Sequence, residues 1–368
     1  MKFVISRDAL LKPLNLVAGV VERRQTLPIL SNVLLVLEDD QLSITGTDLE
    51  VELVGRVSLD QPAISSGEIT VPARKLADIC KSLPDGSNIE FTVEEQRVVV
   101  KAGRSRFTLS SLAAADFPNV EQGDSGQGFV VKQGDLKRLI DRTSFAMAQQ
   151  DVRYYLNGML WEVEAGHLRV VSTDGHRLAM CTLETDIGAT EQMQVILPRK
   201  GVIELARLLH KENDDVEVVI GNNHIRATTA DFTFTSKLVD GKFPDYDRVL
   251  PKSSTKAVYG SREELRQAFS RAAILSNEKY RGVRLMLSDG SLQILANNPE
   301  QEEAEEIVMV EYAGESLEIG FNVSYLLDVL SVLDGDKVKL SLSDSNSSAL
   351  LEEAEHSDCR YVVMPMRL

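Results

Sequence analysis

Ser172, Asp174 and His176 place a hydroxyl, a carboxylate and an imidazole within five residues. Those are the groups of a nucleophile, an orienting acid and a base, and Asp151 and Arg153 add a charge pair a short way upstream. A catalytic set of this kind is normally gathered from separated segments by the fold. Packed into one short stretch, the same residues match hydrogen-bonding turn residues better. A related stretch at Thr47-Asp48 lacks the histidine, which favours a scaffold role for the shared aspartate. His167, His176, His210, His224 and His356 form no HxxxH or HxH group, so no zinc site is expected. Cys80, Cys181 and Cys359 lie about a hundred residues or more apart without CxxC spacing, and their odd number fits a disulfide framework poorly. GxxxxGK[ST] and GxGxxG are both absent. The expectation is a chain that is not an enzyme and carries no cofactor and no metal.

Binding chemistry is better represented. Met364-Pro365-Met366 puts apolar, shape-adaptable side chains near the end of the chain, a composition suited to receiving several peptide partners. Capture of a linear peptide needs such a groove and a few polar groups to fix register. The blander reading, that Val362 and Met364 complete a last strand, is compatible with it, because alternate strand residues serve core and groove.

The elements that position these groups follow from an internal repeat. Leu10, Leu136 and Leu265 open three similar helical patterns at offsets of 126 and 129. Thr47-Asp48 returns as Thr173-Asp174, and Phe117-Pro118 as Phe243-Pro244, both 126 residues later. With 368 residues, the chain divides into three similar domains, expected at 1–125, 126–253 and 254–368. Apolar residues at Leu10, Leu11, Leu14, Val17 and Ala18 have helical spacing. Short alternating runs such as Val51–Val57 read as strands. Each half-domain reads strand, helix, then several strands, so the fold class is α+β, with antiparallel sheets covered on one face by helices.

Charge follows the helices. The chain has a net charge of -16, which taken alone argues against nucleic acid and membrane partners. Six segments, 6–24, 72–83, 132–149, 198–211, 261–284 and 322–333, nevertheless hold 21 Lys and Arg against 10 Asp and Glu. Lys and Arg are good helix formers anyway, but Glu would then be enriched as well. Six helices side by side would make one basic wall that tracks phosphates without reading bases. Arg97, Lys101, Arg104 and Arg106 make a basic edge in the first domain, and Glu300, Glu302, Glu303, Glu305 and Glu306 an acidic one in the third. Opposed edges invite head-to-tail association into a closed ring, with Phe107, Leu109, Ile274 and Leu275 at the contact. Twelve helices at about 10 Å each would enclose a bore of roughly 28 Å, wide enough for a duplex. A multivalent protein scaffold without DNA shares the peptide groove but does not need cations confined to helices.

The motifs TLPILSN (26–32), SITGTDLE (43–50), DVRYYLNGML (151–160), STDGHRLA (172–179), FTSKLVDGKFPDY (234–246), AILSNEKYRGVRL (273–285), NNPEQEEAEE (297–306), IGFNVSYLLDVL (319–330) and YVVMPMRL (361–368) span the whole chain. In them the chain resembles the bacterial DNA sliding clamps, the beta subunits of the replicative DNA polymerase III holoenzyme. The resemblance implies three clamp domains with helices lining the ring and sheets outside. It implies a non-catalytic homodimer that encircles double-stranded DNA. Its partners would be the replicative polymerase, an ATP-driven clamp loader, and other polymerases and repair proteins, held through short linear peptides. DNA would be touched by Arg23, Arg24, Arg74, Lys75, Gln150, Tyr154, Tyr155, Arg199, Lys200, Arg281 and Arg284. The peptide cleft would be formed by Arg153, Leu156, Thr173, Gly175, His176, Arg177, Leu178, Pro244, Arg248, Val249, Asn322, Tyr325, Asn346, Ser348, Val362, Met364, Pro365, Met366 and Arg367. Lys75 would also reach the dimer contact. No signal peptide precedes the first domain and no apolar run approaches the about 20 residues that span a bilayer. The expected setting is therefore reduced, cytoplasmic and without membrane.

Overall fold

The computed structural model describes residues 1–21, 27–118, 126–188, 192–252, 254–356 and 358–367. Arg23 and Arg24 lie outside the described residues. Among those described are twenty-four strands and six α-helices. The helices are α1 (Arg7–Val17), α2 (Ala73–Ser82), α3 (Gln133–Thr143), α4 (Arg199–Leu208), α5 (Arg262–Ala273) and α6 (Val323–Val332). Each half-domain is a strand, a helix and three strands, as its periodicities require. Ser6 caps α1 by accepting from the Ala9 amide at 3.2 Å, and Ser261 caps α5 in the same way. The fifth segment expected, 261–284, a helix with its extension, reached too far: α5 stops at Ala273, and Gly282–Ser288 is a strand whose Val283, Leu285 and Leu287 are buried in alternation.

The chain folds as two compact units, residues 1–134 with 203–238, and residues 135–202 with 239–368. Each unit holds one eight-stranded and one four-stranded antiparallel sheet. In the first unit, Val51–Ser58 pairs with Phe232–Lys237, joining four strands from the start of the chain to four from its middle. In the second, Arg177–Glu184 pairs with Cys359–Val363 in the same fashion. The four-stranded sheets end on Ser105–Ser110 in the first unit and Glu303–Met309 in the second.

Helices and sheets meet over apolar faces. α1 buries Leu10, Pro13, Leu14 and Val17. Pro13 sits so close to the sheet that a Cβ on Gly55 would come within 2.8 Å of its side chain. Phe3 and Phe91 stack at 4.9 Å in the first unit. In the second, Leu156, Leu160, Val171, Leu178, Ile196 and Val362 belong to one buried cluster with Phe243 and Tyr246. Burying each such side chain stabilises the unit by about 1.5–3 kcal/mol before entropy is counted.

Cys181 and Cys359 stand opposite one another on paired strands and are joined in a disulfide, which corrects the expectation of unpaired thiols. A separation of 178 residues hides that pairing from any reading of short spacings. Cys80 is buried and free. No described helix is long and apolar enough to cross a membrane.

Candidate functional site

Two turns carry the repeat into atomic detail. Thr47 Oγ1 donates to the Val51 carbonyl and accepts from the Leu49 amide, while the Asp48 carboxylate accepts from the amides of Glu50 and Val51. Thr173 and Asp174 make the same bonds to Arg177, Gly175 and His176. Asp174 is thus a turn residue, and Ser172 is fully buried beneath it. The hydroxyl, carboxylate and imidazole do not assemble into a catalytic set.

That second turn forms one wall of a cavity of about 170 Å³ in the second unit. Arg153, Leu156, Thr173, Gly175, Arg177, Leu178, Pro244, Val249, Val362 and Met364 line it, together with Phe243 and Tyr246. Leu178 and Val362 are cross-strand partners on the floor, buried in the cluster described above. Met364 forms the rim at 38 % exposure, and its amide donates to the His176 carbonyl at 3.0 Å, tying the last strand to the turn.

Two arginines frame the opening. Arg153 donates through Nε and Nη2 to both oxygens of Asp151, at 3.0 and 2.8 Å, and through Nη2 to the Asp174 carbonyl at 3.1 Å. Those bonds hold the Asp151 carboxyl down at about 2. Arg177 pairs with Asp174 and Asp328, donates to the Phe145 carbonyl, and lies 4.5 Å from the ring centroid of Tyr325. Underneath, Glu162 accepts from Tyr246 Oη and Arg169 Nη1, both at 2.9 Å, and from Gln194. Burial pushes the Tyr246 hydroxyl up to about 12. An apolar floor whose flanking arginines are already held by Asp151, Asp174 and Asp328 suits apolar side chains presented on an extended peptide.

Other residues expected at the cleft surround it instead. Asn322 caps α6 by accepting from the Ser324 amide at 2.9 Å. Arg248 pairs with Asp245 in the open. His176 contributes its backbone, and Met366 donates to the Gly320 carbonyl. Asn346 donates its amide to Asp344, and Ser348 lies before the strand Ala349–Glu353, both apart from the lining. Pro365 and Arg367 follow the rim residue toward the chain end. Phe243 and Tyr246 were missed as lining residues, although the repeated Phe-Pro pair marked their segment.

The cations sort by whether a carboxylate already holds them. Arg7, Lys137, Arg138, Arg142, Arg207, Arg266 and Arg271 are all in ion pairs, so the helix surplus overstates the free charge. Arg74 and Lys75 are exposed on α2, with no carboxylate partner among the described residues. Arg199 and Lys200 begin α4. Gln150 is exposed at φ 55°, and Tyr154 and Tyr155 meet edge to face at 5.7 Å. Arg281 donates to the Ala273 carbonyl at 3.0 Å. Arg284 points from the helix-free face of its sheet and pairs with Glu318 at 3.2 Å, apart from the helix cations.

At the strand edges, Arg97, Arg104, Arg106, Glu300, Glu302, Glu303 and Glu305 are exposed, and Ile274 is 75 % exposed. Phe107 and Leu275 are half-buried. Leu109 faces its own core, which removes it from an accessible contact. Glu306 is held by Arg271 at 2.7 Å, which lowers its carboxyl.

Models of the DNA polymerase III beta subunit match along the chain: the N-terminal domain at 1–121, the central domain at 130–245 and the C-terminal domain at 247–367. The beta sliding clamp of Pseudomonas aeruginosa is 69 % identical over 368 residues, and that of Escherichia coli K12 is 56 % identical over 369, each covering all of both chains. A crystal structure of the DNA polymerase III subunit beta from Pseudomonas aeruginosa superposes with a TM-score of 0.97 at 68 % identity, again over the whole of both chains. A further crystal structure, of the clamp from that organism bound to griselimycin, gives 0.98 at 69 % identity over all of both chains.

Proposed function

Because the chain belongs to the DNA polymerase III beta-subunit family, the bacterial sliding clamps, we propose that the unpaired strand edges of its two units close a head-to-tail ring of two copies. It is a non-catalytic processivity factor, which encircles duplex DNA and tethers the replicative polymerase.

One observation carries the ring. In each eight-stranded sheet, the third strand of a domain's first meander pairs with the last strand of the next domain: Val51–Ser58 with Phe232–Lys237, and Arg177–Glu184 with Cys359–Val363. The same rule leaves Glu303–Met309 of the third domain seeking the last strand of a first domain, Ser105–Ser110. A second copy supplies it head to tail. The exposed Glu303 and Glu305 would then oppose Arg104 and Arg106. Domains at 1–125, 126–253 and 254–368 make that count three per copy.

Arg74, Lys75, Arg199, Lys200, Gln150, Tyr154 and Tyr155 are the side chains assigned to phosphate contact. Contacts of that kind are sequence-blind and permit sliding. The cleft around Leu156, Leu178, Val362 and Met364 receives the linear peptides of polymerases, of a clamp loader and of repair proteins. The setting is the cytoplasm, where the replicated DNA is.

Sedimentation should give a dimer at micromolar concentration. After loading, the protein should stay on nicked circular DNA and leave a linear duplex with free ends. A stable monomer, or equal loss from both DNA forms, overturns the reading.

A further inference from the structure

The two seam sheets differ in how they satisfy their cations. In the second unit Arg138 meets Asp358 at 2.6 Å, and Arg142 meets Glu353 at 2.8 Å and also Asp334. The corresponding residues of the first unit are Lys12 and Leu16, each 126 positions earlier. Backbone bonds confirm the correspondence: the Thr182 amide donates to the Asp358 carbonyl, and the Arg56 amide, 126 positions earlier, donates to the Asp231 carbonyl. His210 stands where the second unit has Asp334. Leu16 is shorter than the arginine it corresponds to, and at that place lies a concavity of about 520 Å³.

Its lining is rich in unanswered positive charge. Lys12 is exposed at the edge, with no carboxylate partner among the described residues. Arg56, half-buried, gives Nη2 to the Thr233 hydroxyl at 2.7 Å and likewise has no carboxylate partner among the described residues. Burial lowers its pKa, the mark of a cation without compensation. Asp231, the one acid in the lining, is held by Lys211. His210 Nδ1 donates to the Leu208 carbonyl at 2.7 Å. Pro13, Leu16 and Val57 supply an apolar wall. Where one seam closes its cations with its own carboxylates, the other leaves them for an anion from outside.

We propose that this concavity binds the phosphoryl groups of a mononucleotide-sized ligand, with Lys12 and Arg56 on the phosphates and the base against Pro13, Leu16 and Val57. The volume suits a small ligand, and arginine and lysine are the usual phosphate partners. The cavity lies wholly within the first unit, so the site does not depend on ring closure.

The test is calorimetric titration of the full-length protein with ATP, and with adenosine as the uncharged control. ATP should bind at one saturable site per chain, and adenosine should not. Lys12→Glu, at an exposed position, and His210→Asp, which restores the carboxylate of the other seam, should each weaken ATP by about tenfold or more while circular dichroism stays unchanged. No saturable ATP binding, ATP bound as tightly by either variant as by the unaltered protein, or adenosine bound as well as ATP would each overturn the site. A short DNA duplex that displaces ATP would assign the phosphoryl groups to a nucleic-acid backbone, and one that does not would assign them to a free nucleotide.

Discussion

The Arg153 guanidinium lies over Gly175 so closely that a Cβ there would come within 2.8 Å of Nη1. Gly175 also has a φ of 89°. Gly175→Ala should therefore lift Arg153 from the Asp174 carbonyl and lower stability by about 1–2 kcal/mol. Leu49 occupies the matching turn of the first repeat at φ 77°, so the turn itself should survive. Peptide affinity measured by fluorescence anisotropy should fall severalfold, and unchanged affinity would remove Arg153 from the cleft mouth.

Glu162 holds Tyr246 and Arg169 together beneath the cleft floor. Glu162→Ala leaves a partly buried guanidinium without its carboxylate and should destabilise the second unit by about 3 kcal/mol. Tyr246→Phe, losing the hydroxyl's bond to Glu162 and the one it accepts from Arg169, should cost about 1–2 kcal/mol. Urea denaturation midpoints should rank the variants in that order.

Asp151 titrates at about 2 because Arg153 binds its charged form. A carboxyl depressed on folding contributes stability above its unfolded pKa and loses it as the pH falls through the folded value. The Arg153–Asp151 pair should thus be intact at pH 4 and lost near pH 2. Carbon-13 titration of the Asp151 carboxyl should read about 2, and Arg153→Ala should return it to the ordinary carboxylate range.

Charge reversal tests the two edges. Glu303→Lys with Glu305→Lys should weaken the dimer by about tenfold, since exposed pairs contribute up to about 1 kcal/mol each. Arg104→Glu with Arg106→Glu should do the same. Combining all four changes should restore association in sedimentation if the edges face one another.

Thiol counting tests the covalent link. Denatured, unreduced protein should show one reactive thiol, Cys80, and reduced protein three. In the native state at pH 8, Cys80 should be silent, because burial pushes its thiol up to about 11. Three thiols without reductant would remove the disulfide.

The repeat, the half-domain pattern and the cleft turn were legible because they rest on local signals: helical spacing, alternation, and Asp48 and Asp174 in matching turns. The Arg177–Asp328 and Arg142–Glu353 pairs were not, because they join side chains 151 and 211 residues apart. Cys181 and Cys359 were hidden in the same way, since only the strand register sets them opposite each other. Arg284 was assigned with a helix although the alternation of Val283, Leu285 and Leu287 already marked a strand. Leu109 shows the converse limit: its apolar character does not tell an own core from a partner's surface.

Strand pairing at the seams means that the repeated domains are not the cooperative pieces. The central third of the chain is divided between both units, giving one sheet half to each. A break near residue 125 would strip Phe232–Lys237 of its neighbour Val51–Ser58 and expose a ladder of bare amides. Three similar repeats are thus so interleaved that none of them can be cut free intact.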